Sequence, residues 1–378
     1  MERALLVTIQ FDRRDPAMWS MADELNELGE LAASAGCQVV GDVKAPRHTP
    51  VASTLIGSGK LEEIAQQAKA LGAQVVIFNQ ELSPGQQRNV EEALGAKTID
   101  RSQLILDIFA QRARSQEGKV QVELAQLRYL LPRLVGKGVA LSRLGGGIGT
   151  RGPGEQKLEV DRRRIRQRIS RLSDELKKLS QRRQATRQRR QEAQMPIAAL
   201  VGYTNAGKST LLNRLTGAGA RAENRLFTTL DPLARRLRLP TGRWLVLTDT
   251  VGFLHRLPHH LIEAFKATLE ETEDATVLLH VLDASHPLAE EQVRAVHEVL
   301  QMLELGRKPV ITVLNKCDRL PDDIRLKILS RQVPCPVAIS ALHGQGLEAL
   351  LKVLEEYLDE SRQAVNLPRQ VSSNPITD

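Results

Sequence analysis

The sequence is poor in aromatic residues and cysteine and has no long apolar run. Only 3% of its 378 residues are aromatic, so aliphatic side chains must fill its cores. The cysteines Cys37, Cys317 and Cys335 have neither the even number of a disulfide framework nor metal-ligand spacing. No stretch approaches the roughly 18 apolar residues of a transmembrane helix. We therefore expect no transmembrane segment and a reducing, cytoplasmic location.

Positive charge is concentrated in one part of the chain. Between Glu155 and Arg190 there are 14 Lys/Arg and five Asp/Glu residues, a larger surplus than the net +8 of the whole chain. Such a block favours a polyanionic partner, most often nucleic acid, and a solvated helix face is the alternative.

The length of the chain is too great for one ordinary hydrophobic core, so two or three domains are expected.

The first part of the chain alternates between strand and helix patterns. Apolar runs at 4–11, 37–43 and 74–78 predict strands, and a helix is predicted from Ser83-Pro84 to about Gly95. This alternation is typical of a parallel sheet with helices on both faces. We predict an N-terminal α/β domain at residues 1–100.

The next part has helical spacing and no strand signals. A glycine-dense loop, 136–154, separates two helical segments. The second has apolar residues in steps of three and four, as in a coiled-coil seam. These residues are Leu158, Ile165, Ile169, Leu172, Leu176 and Leu179. We predict an antiparallel helical hairpin at 101–195 with the glycine loop at its tip.

From Pro196 the strand–helix alternation resumes, which predicts a third, α/β domain at 196–360. The remaining residues, 361–378, are polar, and a disordered tail is predicted there. The predicted strands are 197–201, 233–239, 243–248, 276–282, 309–314 and 336–339.

A phosphate-binding loop opens this third domain. GYTNAGKS, from Gly202 to Ser209, matches G-x-x-x-x-G-K-[ST] between an apolar strand and a helix. Its glycines let backbone N–H groups surround phosphates, Lys208 reaches the β- and γ-phosphate oxygens, and Ser209 offers a hydroxyl to Mg²⁺. A plain strand-to-helix turn, the alternative, does not need Lys-Ser here. The predicted nucleotide contacts are Gly202, Tyr203, Thr204, Asn205, Ala206, Gly207, Lys208, Ser209 and Thr210.

A second motif selects guanine. NKCD, from Asn315 to Asp318, follows an apolar strand. The Asp318 carboxylate can accept from N1–H and the exocyclic amine of guanine, a donor pair that adenine lacks; a helix cap at a strand end is the alternative. The predicted base contacts are Asn315, Lys316, Asp318, Ser340, Ala341 and Leu342. These motifs predict GTP and GDP as ligands and GTP hydrolysis as the reaction.

Two segments complete the predicted site. Asp249, at a strand end, is placed to hold Mg²⁺ through water, and the Gly252 N–H can meet the γ-phosphate. Upstream, a threonine should close over Mg²⁺; we choose Thr229, with Thr228 as the alternative. These segments contribute Phe227, Thr228, Thr229, Asp249, Thr250, Val251 and Gly252. We assign Lys208, Thr229 and Gly252 as catalytic, and Ser209, Thr229 and Asp249 as metal-binding.

The predicted site lacks one catalytic part. Efficient Ras-like enzymes place a glutamine directly after Asp-x-x-Gly to orient the attacking water. Phe253 occupies that position here and cannot hydrogen-bond water. Hydrolysis by the isolated protein should therefore be slow, and a partner should stimulate it.

The nucleotide motifs have the order and spacing of translation-factor-class GTPases. Further distinctive segments lie outside them: Gly145–Glu155 (GGGIGTRGPGE), Leu158–Arg163, Gly57–Lys60, Leu82–Pro84, Ile99–Arg101, Leu104–Arg112 and Val122–Leu127. These segments resemble the signature of the HflX family of ribosome-associated GTPases, and the resemblance extends over nearly the whole chain, to about residue 360. Gln156 departs from the family pattern, in which threonine often follows Gly-Pro-Gly-Glu.

The resemblance implies an N-terminal α/β domain, a helical hairpin and a Ras-like G domain. It implies binding to the large ribosomal subunit and its rRNA near the peptidyl transferase centre, stimulation by that subunit, and splitting of stalled 70S ribosomes. We expect a monomer that does not bind DNA.

Potassium-dependent GTPases that this site resembles have asparagine at the position of Asn205, so K⁺ is a further candidate cofactor. The alternatives are a GTP-dependent assembly or rRNA-docking switch without splitting activity, and an ATP-driven RNA helicase.

Two weaker features have simpler interpretations. Gly57–Lys60 could hold a phosphate at a helix start, but it lacks full P-loop spacing and a tight turn is favoured. His255, His259 and His260 match no metal-ligand spacing, and we interpret them as polar residues of a mobile segment.

Overall fold

The structure is a computed structural model. It describes residues 1–11, 19–134, 153–192, 195–217, 226–227, 230, 233–258, 261 and 272–366. The chain forms two compact units. The first comprises Met1–Arg190, Glu223–Asp231 and Leu254–Glu270; the second comprises Gln191–Ala222, Pro232–Phe253 and Glu271–Asp378. Within the described ranges, no helix is long and apolar enough to cross a membrane.

The first unit contains a four-stranded parallel sheet, which confirms the predicted fold of this region. The strands are β1 (Arg3–Phe11), β2 (Gln38–Arg47), β3 (Val75–Phe78) and β4 (Lys97–Asp100), in the order β2-β1-β3-β4. Helices Met21–Ser34, Ser58–Ala70 and Pro84–Leu94 connect successive strands. Leu5, Val7 and Phe78 are fully buried in the core of this sheet. Burial of one such side chain contributes about 1.5–3 kcal/mol.

Local capping sets the ends of these helices. The Ser83 hydroxyl accepts the N–H of Gln86, whose side chain accepts the N–H of Ser83, forming a capping box. Pro84 lies in the first turn, and Gly95, with φ of 61°, ends the helix. The helix between Ser83 and Gly95 is therefore encoded locally and was predictable.

Among the described residues that follow β4 in the first unit are the helices Arg101–Arg112, Gln116–Arg133 and Pro153–Glu192. Val120 and Leu124 of the middle helix are buried against Leu172 of the last, as the predicted seam requires. Side chains of Leu158 and of the loop 136–152 lie outside the described residues.

Polar contacts between the last two of these helices show their relative direction. Gln116 donates to Glu175 over 2.8 Å, and Arg168 donates two hydrogen bonds, of 2.7 and 2.8 Å, to Glu123. The partners therefore run in opposite order: from 116 to 123 along one helix and from 175 back to 168 along the other. The helices are antiparallel, which confirms the predicted hairpin.

The second unit contains a six-stranded sheet in the order β10-β9-β8-β5-β7-β6. Among the described strands of this sheet, β6 pairs antiparallel with β7, and the other pairs are parallel. The strands are β5 (Ile197–Val201), β6 (Leu233–Arg238), β7 (Trp244–Asp249), β8 (Val277–Asp283), β9 (Val310–Asn315) and β10 (Pro336–Ala338). Parallel packing brings the carboxyl ends of five strands to one edge, where α/β sheets bind ligands.

The α-helices in the described part of the second unit are Lys208–Thr216, Ala289–Met302, Ile324–Gln332 and Leu347–Asn366. The last continues beyond Glu360, into the segment for which a disordered tail was predicted. Leu350, Leu354 and Leu358 bury its apolar side in the core of the sheet. Residues 367–378 lie outside the described residues.

Candidate functional site

The loop after β5 has a backbone that requires glycine at two positions. A Cβ atom on Gly202, where φ is 147°, would lie 2.2 Å from the carbonyl oxygen of Val281. A Cβ atom on Gly207, where φ is 101°, would lie 2.2 Å from Nδ2 of Asn315. Both distances are too short for any side chain, and both φ values favour glycine. The loop thus turns tightly into helix Lys208–Thr216, whose N-terminal N–H groups favour phosphate.

Lys208 is held inside this loop. Its side chain is buried, and Nζ donates to the carbonyl oxygens of Gly202 (3.1 Å) and Tyr203 (2.8 Å). Burial lowers the pKa of Lys208 to about 8, and the negative charge of Asp249 opposes that shift. A phosphate oxygen would therefore gain a strong, poorly hydrated partner here.

The predicted magnesium ligands of the second unit meet in the structure. The Ser209 hydroxyl donates to the Asp249 carboxylate over 2.6 Å, and Asp249 is fully buried at the end of β7. A hydroxyl and a carboxylate oxygen beside a phosphate loop suit the hard oxygen coordination of Mg²⁺. These two residues fit the ion.

The Asp-x-x-Gly segment is fastened to the phosphate loop. Phe253 N–H donates to the Gly202 carbonyl (3.1 Å), and Thr204 N–H donates to the Phe253 carbonyl (2.8 Å). A Cβ atom on Gly252 would lie 2.7 Å from Cα of Thr204, so glycine is needed for this close approach. The Phe253 side chain is 1% exposed and contributes to the core. The position of the expected catalytic glutamine is thus filled by a buried ring.

Asn315 connects the guanine motif to the phosphate loop. Its Nδ2 donates to the Ala206 carbonyl over 2.8 Å, and its Oδ1 accepts the N–H of Ala341 over 3.0 Å. All of these groups are buried. One amide side chain therefore positions three predicted segments of the site.

Asp318 retains a charged carboxylate. The Ser340 hydroxyl, and to a smaller degree His343, lower the pKa of Asp318 below its usual range. An ionised carboxylate is the acceptor that the guanine N1–H and amine need. Leu342, whose side chain is predicted to contact the base, is 64% exposed.

Two residues near the guanine motif, Asp283 and His343, were not predicted. The Asp283 carboxylate pairs with Lys316 Nζ over 2.7 Å, and His343 Nε2 lies 3.7 Å from the Asp318 carboxylate. The signal for Asp283 was available, because it ends β8 at the same sheet edge. The signal for His343 was only its nearness to Ser340 in sequence.

The predicted magnesium-closing threonines, Thr228 and Thr229, lie outside the described residues. Phe227 is described, and its ring packs edge-to-face on Phe109 with centroids 4.6 Å apart. It is 1% exposed. The structure thus places the Phe227 side chain in the core of the first unit.

His255 is also held within the first unit. Its ring stacks on Trp19 with centroids 4.6 Å apart, and its carbonyl accepts from Arg101. Burial lowers the pKa of His255 to about 3, so the ring is neutral near pH 7. His255 is packed, contrary to the predicted mobile segment. His259 and His260 lie outside the described residues, and the described residues contain no metal-binding cluster of His, Cys, Asp or Glu.

The weaker candidate phosphate site forms a helix start. Gly57 is the N-cap of helix Ser58–Ala70, and Lys60 pairs with Glu63 of the same helix over 2.8 Å. The charge of Lys60 is thus partly satisfied, which favours the interpretation as a tight turn.

The fold and the site define a P-loop GTPase that selects guanine. Matches to protein families agree with this class. Residues 22–110 match the family "GTP-binding GTPase N-terminal", 112–190 match "GTP-binding GTPase Middle Region", and 197–316 match "50S ribosome-binding GTPase".

Curated relatives narrow this class. The chain is 51% identical over 365 residues to the GTPase HflX of Caldanaerobacter subterraneus subsp. tengcongensis, covering 97% of this chain and 82% of the relative. It is 45% identical over 372 residues to the GTPase HflX of Escherichia coli (strain K12), covering 98% and 86%. The chain belongs to the HflX family and is a GTP-hydrolysing enzyme.

A solved structure with a similar fold is the complex of SsGBP with GDP. It has 25% sequence identity and a TM-score of 0.50, and the match covers 95% of this chain and 99% of that one. The likeness thus extends over both compact units.

Proposed function

We propose that this GTPase docks on the large ribosomal subunit, is activated there, and splits stalled or stress-arrested 70S ribosomes in the cytoplasm as a monomer. The match to a family described as 50S ribosome-binding GTPases supports the choice of partner. The observation that carries the proposal is the exposed arginine face of helix Pro153–Glu192.

This face is suited to RNA. Arg163, Arg164 and Arg166 are exposed on a helix whose opposite side packs in the hairpin through Leu172. Arginine pairs with phosphate in a bidentate manner, and the release of counterions from RNA favours binding. In this proposal the glycine loop 136–154 extends from the hairpin towards the peptidyl transferase centre.

The catalytic site supports the need for activation. Phe253 is buried and offers no polar atom to the attacking water. Asp249 accepts a hydrogen bond from Ser209 and interacts electrostatically with Lys208, which supports phosphate and Mg²⁺ binding by these three residues. We infer that the ribosome stabilises a geometry that orients water, and that Thr229 completes the Mg²⁺ coordination made by Ser209 and, through water, by Asp249.

Potassium is proposed as a second cation. Asn205 has a positive φ of 60° in the phosphate loop, close to where the β- and γ-phosphates bind. A monovalent cation held there would neutralise charge that develops during phosphoryl transfer. Equal hydrolysis rates in sodium and potassium would exclude this role.

Sedimentation of 70S ribosomes tests the splitting activity. With GTP or a non-hydrolysable analogue, the wild-type protein should convert 70S particles to subunits, and Lys208→Ala should not. Particles that stay intact while the protein co-sediments with them would favour the alternative, an assembly or docking switch without splitting activity. ATP turnover that survives Lys208→Ala would favour a helicase in the N-terminal domain.

A further inference from the structure

The β6–β7 hairpin presents an exposed face of two arginines and a tryptophan. Arg238 lies directly opposite Trp244 in the antiparallel register, and Arg236 is opposite Val246. Because alternate residues of a strand share a face, Arg236, Arg238 and Trp244 lie together. Trp244 is 51% exposed, and both arginines are exposed. We call these three residues the arginine–tryptophan face.

The hairpin is strongly basic. Residues 233–248 contain Arg235, Arg236, Arg238 and Arg243 and no acidic residue. Arg243 pairs with Asp359 over 2.6 Å. Within the part of the chain that the structure describes, no carboxylate pairs with Arg236 or Arg238. Positive charge is thus available beside the exposed indole.

The opposite face of the hairpin packs in the core of the second unit. Leu237 and Leu245 point to the opposite side, where they are 4% and 0% exposed in the core. Edge strands often carry charged residues that prevent pairing with other sheets, and β6 is an edge strand. That role explains the arginines but not a large exposed aromatic ring next to them.

We propose that the arginine–tryptophan face binds RNA at unpaired bases. That this RNA is ribosomal rests on the proposed function. An indole and guanidinium planes stack on splayed bases, and arginines pair with the adjoining phosphates. The face would give the second unit its own contact with ribosomal RNA, separate from the arginine-rich helix of the first unit.

Tryptophan fluorescence tests this directly. The chain has two tryptophans, and Trp19 is buried, so a Trp19→Phe variant leaves Trp244 as the only reporter. The probes are a single-stranded oligoribonucleotide of mixed sequence and an RNA duplex of equal charge. The single strand should quench Trp244 emission saturably, with affinity that falls as salt rises, and the duplex should quench much less. Absence of saturable quenching by the single strand would overturn the proposal.

Variants separate stacking from charge. Trp244→Phe should retain binding of the oligoribonucleotide, measured by its fluorescence anisotropy, and Trp244→Ala should weaken it about tenfold. The double variant Arg236→Gln with Arg238→Gln should also weaken binding of the oligoribonucleotide. The control is a second double variant with the same change in charge, Arg307→Gln with Arg331→Gln, at two other exposed arginines. It should not weaken binding. Equal loss in both pairs would reduce the effect to net charge and overturn the proposal.

Trp244 fluorescence is also measured with large ribosomal subunits and compared with the result for the oligoribonucleotide. If they shield Trp244 from acrylamide while the oligoribonucleotide does not quench it, the occupant is a protein and the RNA proposal is wrong. If the oligoribonucleotide quenches Trp244 but the protein does not bind large subunits, the face binds RNA and the proposed ribosomal function fails. The two proposals can therefore fail separately.

Discussion

The Ser209 hydroxyl donates a hydrogen bond of 2.6 Å to the Asp249 carboxylate. This contact joins the first turn of helix Lys208–Thr216 to the end of β7, two segments that are 40 residues apart in sequence. It brings together a hydroxyl and a carboxylate oxygen, which suit the coordination of Mg²⁺, beside the phosphate loop.

The Ser209→Ala variant should need a higher Mg²⁺ concentration for GTP hydrolysis, because one cation ligand is lost. We expect the half-maximal concentration to rise about tenfold, the loss of roughly 1.4 kcal/mol of cation binding. A Mg²⁺ series of hydrolysis rates measures it. Ser173→Ala, on the arginine-rich helix, is the control. An unchanged Mg²⁺ requirement would remove Ser209 from the metal site.

The Asp318→Asn variant should shift nucleotide preference from guanine to xanthine. The carboxylate accepts two donors of guanine, and the amide can instead donate to the carbonyl that xanthine has in place of the amine. Loss of a charged hydrogen-bond acceptor costs about 1.5–3 kcal/mol, so GTP affinity should fall about 10–150-fold. Competition between GTP and XTP for the binding site measures this. Undiminished GTP selectivity would refute the guanine role of Asp318.

Acid should destabilise the second unit through His280. Burial, together with the positive charge of Lys208 and His297, lowers the pKa of His280 to about 4, below the ordinary value of 6.5. Between these pH values the unfolded chain binds the proton and the folded chain does not, so stability falls as pH falls from 6.5 to 4. Over this window the effect approaches roughly 3 kcal/mol.

The His280→Leu variant should lack this dependence. Its free energy of unfolding by urea, followed through Trp244 in the Trp19→Phe background, should change less steeply between pH 4.5 and 6.5 than that of the parent. The expected difference in slope is about 1.4 kcal/mol per pH unit. His343→Gln, at a histidine with a side chain that is 56% exposed, is the control. Equal slopes in variant and parent would contradict the account.

Replacement of Arg163 and Arg166 by glutamine should weaken binding to large subunits and reduce its salt dependence. Each lost phosphate contact should lower the slope of log affinity against log salt by about 0.7–0.9. Arg168 is omitted because it bonds to Glu123 within the hairpin. The pair Arg307→Gln and Arg331→Gln is the control. If both pairs bind alike across a salt series, the arginine face is only a solvated surface.

Much of the site was predictable because its chemistry depends on residue identity at short spacing. Gly202, Gly207 and Lys208 form one continuous motif, and the motif at Asn315 follows an apolar strand. The structure adds the tertiary contacts of Asn315, which no periodicity reveals.

Sequence patterns did not predict the packing of a side chain where its contact partner is far away in the sequence. The packing of Phe227 on Phe109 and of His255 on Trp19 joins the first unit to segments more than a hundred residues later. Neither residue belongs to a periodic run, and an isolated polar residue that follows a motif, such as His255, usually lies in solvent. The helical hairpin was predictable, in contrast, because its seam repeats regularly.

The central claim is that the ribosome completes a GTPase site that has a buried Phe253 in place of a water-orienting residue. The most direct test is the rate of GTP hydrolysis by the wild-type protein alone, with large subunits, and with small subunits. We expect a slow basal rate that large subunits raise at least about tenfold, a gain of roughly 1.4 kcal/mol in transition-state stabilisation, and we expect little effect of small subunits. A rate that large subunits leave unchanged would contradict it.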